Sequence, residues 1–310
     1  MQEKWGHCYK NFFVGMRGQM KIAFWSNGGE KMCVTANMAS IASMVSLRNA
    51  GRVKEILLEN HFSRNKSLED VLLQPMQQDF LRESGGYNVK YGLDYILKRI
   101  YCGDRDRELI KNSTVDLMLS NMCLLPSGMV FNKEVFNYDF SMVHRELFKI
   151  LEEVSEYIFI DTESNQNLST KQILFDADIV VVNLTQNPDN IRDFFENYTS
   201  IREKAIYIVG KYRPERKWTR KRISYEYNVP RNRIGIMPYT IELEYAIDAG
   251  RLQQYLCSNY MRATSRENEF FIRHCKKNAK LVENTAREIK KEMIRSIELQ
   301  KIDDACKENR

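Results

Sequence analysis

The residues with the clearest chemical potential follow an apolar run, Lys21–Trp25 (KIAFW), which continues as SNGGEKMCVTANMASIASM. A strand, a glycine-containing loop and then a helical stretch form the layout of a phosphate-binding loop. Backbone N–H groups of such a loop, with the helix N-terminus behind it, hold an anion. Further on, YIFIDTESNQN sets Asp161 directly after four apolar residues. A strand-end carboxylate there can hold magnesium through water, or simply cap the next segment. RVKEILLENHF closes another apolar run with Glu59, Asn60 and His61. Glu59 can order a water, and the plainer reading is of polar residues at a strand mouth. Asn183, after IVVV, suits hydrogen bonding to a loop as well as contact with a base.

The general phosphate-loop pattern is G-x-x-x-x-G-K-[ST], and this chain meets it in neither of two registers. With Lys31 as the phosphate lysine, Glu30 stands where glycine is needed and Met32 replaces the magnesium-binding hydroxyl. With Thr35 as that hydroxyl, Val34 replaces the lysine and Cys33 the glycine. Both registers stay open, and Glu30 adds a negative charge where an anion should sit. The candidate nucleotide contacts are Gly28, Gly29, Lys31, Thr35 and, near a base, Pro238. Asp161 and Thr35 are the candidate magnesium ligands, and Asp161 and Glu59 the candidate catalytic pair. Phosphoryl transfer depends on positioning and charge stabilisation, so losing the lysine or hydroxyl costs on the order of several powers of ten in rate.

These residues need a sheet to bring them together. Six short runs read as buried strands: Lys21–Trp25, Ile56–Leu58 (with Val53 as an earlier start), Tyr157–Ile160, Ile179–Leu184, Ala205–Val209 and Arg233–Met237. They are continuous rather than alternating, and rich in Ile and Val, as in a parallel sheet covered on both faces. Helical spacing appears over Thr35–Arg48, Leu93–Ile100, Arg107–Ser120, Ser141–Val154, Asn190–Arg202, Thr219–Tyr227 and Ile241–Gln254. Asp189 and Asn190 are helix-start candidates. Alternating strands and helices predict an α/β fold with helices on both faces of a mostly parallel sheet. Residues 1–19 read as a loose N-terminal extension or an upstream start, 20–264 as the α/β domain, and 265–310 as a helical tail. Phe271, Leu281, Ile289, Met293, Ile294 and Ile297 form the tail's docking stripe; a membrane-surface helix is the alternative.

The seven cysteines are odd in number and scattered, without a CxxC pair, and read as free thiols in a reducing, cytoplasmic compartment. The four histidines form no metal pattern, which argues against zinc. No apolar run approaches the roughly 20 residues that span a bilayer. The net charge of +6 is unremarkable for 310 residues, but Lys211–Arg222 (KYRPERKWTRKR) concentrates seven bases against one acid. Lys211, Arg213, Arg216, Lys217, Arg220, Lys221 and Arg222 could contact a DNA backbone, an anionic lipid or an acidic partner, or form a solvated surface.

In the order of its strand ends over roughly residues 20–256, the chain resembles the MinD/ParA family of P-loop ATPases. KIAFW with its loop resembles the family's first strand and phosphate loop, and YIFID the Walker B strand ending in Asp161. ADIVVVNLTQNP, IYIVGKY and RIGIMPYTIELEYAIDAGRL are similar to the strands and base-side loop that follow. The loop departs from the family in lacking the second, cross-dimer lysine, Ser26 or Asn27 standing there. The resemblance implies a doubly wound P-loop fold, ATP and magnesium as cofactors or, with the loop eroded, none, and a homodimer. It further implies a bacterial protein that positions or assembles a membrane-associated machinery of the pilus, secretion or division type, peripheral at the inner face of the membrane. An active partition-type ATPase that binds DNA is the alternative.

Overall fold

The computed structural model describes residues 18–28, 32–60, 67–85, 92–119, 121–128, 132–164 and 167–308. The expected extension therefore lies outside the described residues except for Gly18 and Gln19. The strands among these residues are β1 (Met20–Trp25), β2 (Glu55–Asn60), β3 (Val115–Asp116), β4 (Met122–Leu125), β5 (Tyr157–Thr162), β6 (Ile179–Leu184), β7 (Ala205–Val209) and β8 (Ile234–Ile236). They form one sheet in the order β3-β4-β2-β5-β1-β6-β7-β8. Every pairing is parallel except β3 with β4.

Strand alternation divides the core between the two faces. Ala23 and Trp25 of β1 point into a layer covered by α4 (Leu93–Tyr101), α5 (Glu108–Ser113), α6 (Lys133–Val154), α7 (Leu168–Asp176), α8 (Pro188–Asn197) and α9 (Arg220–Glu226). Met20, Ile22 and Phe24 point into the other layer. There lie α1 (Val34–Arg48), α2 (Leu68–Leu72), α3 (Pro75–Gly85), α10 (Ile241–Asp248), α11 (Leu252–Tyr260) and the long α12 (Arg266–Glu308). The middle strands are buried on both faces, which is why their sequences lack alternation. Each fully buried Val, Ile or Phe contributes about 1.5–3 kcal/mol.

Several expected elements differ. The helix expected over Arg107–Ser120 stops at Ser113, and the chain enters β3 and then β4, an edge pair too short to register as apolar runs. Asn121, with φ 61°, supplies the left-handed residue that reverses the chain between them. The helix expected over Ile241–Gln254 is two helices, because Gly250 takes φ 62°. Helix α6 begins at Lys133 rather than Ser141, its N-cap Asn132 accepting from Glu134 and Val135 N–H. Helix α8 starts with Asn187 as cap and Pro188 at the first position, before Asp189 and Asn190. It ends at Asn197, short of the expected Arg202, and a 3-10 segment, Thr199–Lys204, follows.

Helix α12 docks against α1 through a fuller stripe than the sequence reading gave it: Phe271, Ile272, Cys275, Ala279, Val282 and Ala286 are all buried. Small Ala and Cys positions let the two helices approach closely. Leu281 and Ile289 are partly buried against the same core, whereas Met293 and Ile294 are exposed. No helix among the described residues is long and apolar enough to cross a membrane.

Candidate functional site

The sheet order sets β1 between β5 and β6, with the sequence crossing to opposite sides of it. Crevices at the carboxyl ends of parallel strands, where the strand order reverses, are where such sheets bind ligands. The register pairs Phe24 of β1 with Asp161 of β5, and Asp161 in turn with Glu59 of β2. Asp161 thus lies inside its strand rather than after it, level with the last residues of β1. Tyr157 and Phe159 belong to the α1-side core, and Asp161 continues their alternation; Glu59 does the same from Leu57. Two buried carboxylates stand on adjacent strands, on the face that carries α1. Glu59 has a structural task as well, because its Oε1 accepts the Leu68 N–H at 3.0 Å at the start of α2. Thr162 donates its hydroxyl to the Phe24 carbonyl at 2.8 Å, tying β5 to the end of β1.

The loop after β1 is described as far as Gly28 and again from Met32; Gly29, Glu30 and Lys31 lie outside the described residues, as does His61. Its first half is fastened to α8. The Asn27 amide donates to the Asn190 carbonyl at 2.9 Å and to the Asp193 carboxylate at 2.7 Å, and accepts from the Asn190 amide at 2.7 Å. The Asn190 side-chain oxygen also accepts the Thr185 N–H. Ser26 Oγ accepts the Gly28 N–H at 3.1 Å. A Cβ on Gly28 would stand 3.0 Å from Asn190 Nδ2 and 3.3 Å from Met32 Sδ, so the loop passes closely between these two side chains.

Met32 is buried, and Cys33 follows in the left-handed region, φ 55°, as the N-cap of α1. The helix begins at Val34, which sets Thr35, half-buried, in its first turn. Unpaired N–H groups there favour an anion. Behind the loop, Asn37 of α1 donates to Asn183 of β6 at 2.8 Å, and Asn183 donates to the carbonyls of Trp25 and Val181. Asn183 is therefore a strut between α1 and the β1 end. Gly210, just past β7, faces Asn37 closely, leaving little room for a side chain.

Pro238 is buried just past β8, on the same rim. Tyr239 beyond it has its phenol pushed up by burial and by the Glu244 carboxylate, and the Lys211 ammonium sits 5.6 Å over its ring. Lys211 has φ 46°. The basic segment is a built loop. Buried Gln186 accepts the Arg213 N–H at 2.7 Å and donates to the carbonyls of Arg213 and Trp218, each at 3.0 Å. The seven bases do not act alike. Arg220 turns back to the Arg231 carbonyl, and burial lowers its pKa. Arg222 stacks over Trp218 at 4.5 Å. Arg213, Arg216, Lys217 and Lys221 are exposed. Sequence reasoning set Asn27 in the loop and Asn190 at a helix start without their contact, and missed Asn37 and Gln186 as members of this rim; an Asn or Gln beside a strand end is too common a signal to single out.

The donor set bears on the cofactors that the resemblance implies. Asp161 and the first-turn Thr35 carry oxygens, the donor type that magnesium takes. Among the described residues, no group of three or more His, Cys, Asp or Glu side chains could hold a metal ion. A parallel α/β sheet with a loop and a helix N-terminus at its central strand end is the layout of nucleotide-binding α/β folds. Within it, the chain has the MinD/ParA-like fold, as its similarity to solved structures shows. A ParA family ATPase from Chlorobium tepidum TLS is 14% identical, with a TM-score of 0.60, 84% of this chain and 97% of that one being covered. A putative plasmid partition protein from Borrelia burgdorferi B31 bound to AMPPNP is 15% identical (TM-score 0.60; 86% and 99%). The septum site-determining protein MinD complexed with Mg-ADP from Pyrococcus horikoshii OT3 is 14% identical (TM-score 0.59; 87% and 98%). No family model and no curated protein matches the sequence.

Proposed function

We propose that the chain is a degenerate MinD/ParA-type protein that works as a positioning or assembly scaffold for a bacterial machinery and has lost useful ATP hydrolysis. One observation carries this reading: the described half of the phosphate loop is held by protein side chains, Asn27 clasped by α8 and Met32 packed on Gly28. Asp161 and Glu59 stand level on adjacent strands, as a carboxylate rim beside the loop would need. The similar proteins described with AMPPNP and with Mg-ADP make ATP and magnesium the ligands to test. Asp161 and Thr35 would hold the metal, Gly28, Gly29 and Lys31 the phosphates, and the Pro238 segment the base. Magnesium, when bound, supplies charge neutralisation on the phosphates. Val34 or Met32, depending on register, cannot supply what a lysine or hydroxyl would. The scaffold acts as a homodimer with a protein partner of the pilus, secretion or division type, peripheral at the inner membrane face.

Calorimetry of the full chain with Mg-ATP, beside a phosphate-release assay, tests this. We expect weak binding that EDTA or Asp161→Ala removes, without measurable release. Absence of heat assigns a nucleotide-free scaffold, whereas steady phosphate release lost in Asp161→Ala overturns the reading in favour of an active ATPase.

A second reading, a partition-type protein that contacts DNA non-specifically, is favoured by the Gln186 staple, which presents Arg213, Arg216 and Lys217 on an ordered loop. Phosphate contacts of this kind are strongly salt-dependent. A triple Arg213→Glu, Arg216→Glu, Lys217→Glu variant that binds duplex DNA as well as wild type removes it.

A further inference from the structure

The outermost strand, β8, is mounted between helices of the two layers. Asn278 of α12 donates to the Ile236 carbonyl at 2.9 Å. Gly235 makes room for that side chain, since a Cβ there would lie 2.2 Å from Asn278 Oδ1. From the other layer, α9 packs Ile223 into the core that holds Ile234 and Ile236. Phe270 of α12 packs against this α9-side core, whereas its neighbours Phe271 and Ile272 belong to the α1-side core. Helix α12 therefore lines the outer edge of the sheet. Phe270, Arg273, His274 and Lys277, spaced i, i+3, i+4 and i+7, share its face.

Cations meet there without a counter-charge. Half-buried His274 is faced by Lys277 and Arg273 of its own helix and by Arg220 of α9. Burial, then these three charges, hold its imidazole down at about 4. Arg220 is faced in turn by Arg231, to whose carbonyl it donates, and by the Tyr212 phenol; burial and Arg231 lower its pKa. Its Nε is buried, with no hydrogen-bond partner among the described residues. Among those residues, no carboxylate forms an ion pair with Arg220, Arg231, Arg273 or Lys277. Other partly buried cations of the chain are paired: Lys21 with Glu152 and Asp178, and Arg48 with Glu283. Like charges gathered at a partly desolvated place are stabilised by an anion, and most by one of more than a single charge.

Convergence decides the kind of anion. A carboxylate brings one charge. A phosphate monoester brings up to about two on one centre, with three acceptor oxygens that guanidinium groups match in pairs. A nucleic-acid backbone carries one charge per phosphate, spread along its strand.

We infer that the β8 edge binds a phosphate monoester group between Arg220, Arg273 and Lys277, beside His274. The group comes either from inorganic phosphate in solution or from the head group of phosphatidic acid. With β6 and β7 between β8 and β1, the site is separate from the phosphate loop and its test does not depend on a nucleotide there.

The His274 imidazole, identified by its loss in His274→Gln, is followed by proton–carbon NMR in the full chain. Inorganic phosphate is added at constant ionic strength against sodium chloride. In a second arm, the chain is sedimented with phosphatidylcholine vesicles with and without phosphatidic acid. Phosphate is expected to shift the imidazole signal saturably and to raise its titration midpoint by about one unit or more. Arg273→Gln with Lys277→Gln, both positions being exposed, should weaken binding by about ten-fold or more at unchanged thermal melting. A response to dissolved phosphate assigns the soluble source; binding confined to phosphatidic acid vesicles, and lost in the double variant, assigns the lipid. The inference is overturned if chloride moves the signal as phosphate does, if neither source binds, or if the double variant binds as wild type. Duplex DNA that binds through Arg273 and Lys277 while phosphate has no effect also overturns it, in favour of a nucleic-acid surface.

Discussion

Asn27 and Asn190 grip each other reciprocally, each donating its side-chain amide to the other, across 163 residues of sequence. The contact fixes the exit of the central strand to the start of α8 and needs no ligand. A phosphate loop whose shape depends on bound anion gains order on binding. This one has half of its order supplied by the protein.

Removing the clasp should therefore loosen the loop locally. Asn190→Ala strands the Asn27 side-chain oxygen and the Thr185 N–H, a cost of about 1–3 kcal/mol. Hydrogen exchange should rise over residues 26–36 and 185–190 and stay unchanged in β7. Protection equal to wild type in the loop would show that the clasp does not order it.

Variants at the start of α1 discriminate between the two loop registers. Cys33 already takes a left-handed conformation that glycine adopts without strain, and Val34 is the first helical residue. Cys33→Gly with Val34→Lys should raise Mg-ATP affinity by about ten-fold or more, the worth of one charge-assisted hydrogen bond. Glu30→Gly with Met32→Thr should do less. Calorimetry on the two double variants decides, and the reverse order would assign the phosphate role to Lys31.

Glu55 makes stability fall as pH rises. Its carboxyl is buried at the start of β2, neither oxygen has a hydrogen-bond partner among the described residues, and burial, then Glu283 and Glu156, push its pKa well above 4.5. Tyr157, its neighbour, is pushed up to about 12 mainly by burial. Glu283 is itself held by Arg48 at 3.1 Å and Asn49 at 2.7 Å. Because the folded state keeps the Glu55 proton longer than the unfolded chain does, the contribution is complete below pH 4.5. It is lost progressively toward the folded pKa, with a slope of at most about 1.4 kcal/mol per pH unit. Urea titrations of Glu55→Gln should show higher stability at neutral pH and a flatter dependence. An unchanged slope would mean that Glu55 ionises freely in the fold.

Gly250 admits no side chain. Gly250→Val meets the Leu73 carbonyl and forces a β-branched residue to φ 62°. A loss of at least about 2 kcal/mol should appear as a lower urea midpoint. A midpoint within error of wild type would show that the α10–α11 turn gives way.

Much of the scaffold was legible because buried parallel strands need continuous Ile and Val. The runs at β1, β5, β6 and β7 can serve almost nothing else, and their order along the chain carried the family resemblance. The β3–β4 edge was not legible: four residues of MCLL bury too little to stand out, and the reversal rests on a left-handed Asn121. The break at Gly250 was hidden within an apolar period that continues across it. At the candidate site, the apolar residues before Asp161 placed it near the end of its strand.

By itself, the sequence determined which stretches bury themselves, that they alternate with helices into a parallel sheet, and that the loop after the first strand lacks parts of the phosphate pattern. Only the tertiary structure decided that Asp161 stands level with Phe24 and Glu59, that Asn27 is clasped by α8, and that Gln186 holds the basic loop. Burial is a property of each residue and its immediate neighbours, and so is written locally. Side-chain partners more than a hundred residues apart are set by sheet register, which no local pattern encodes.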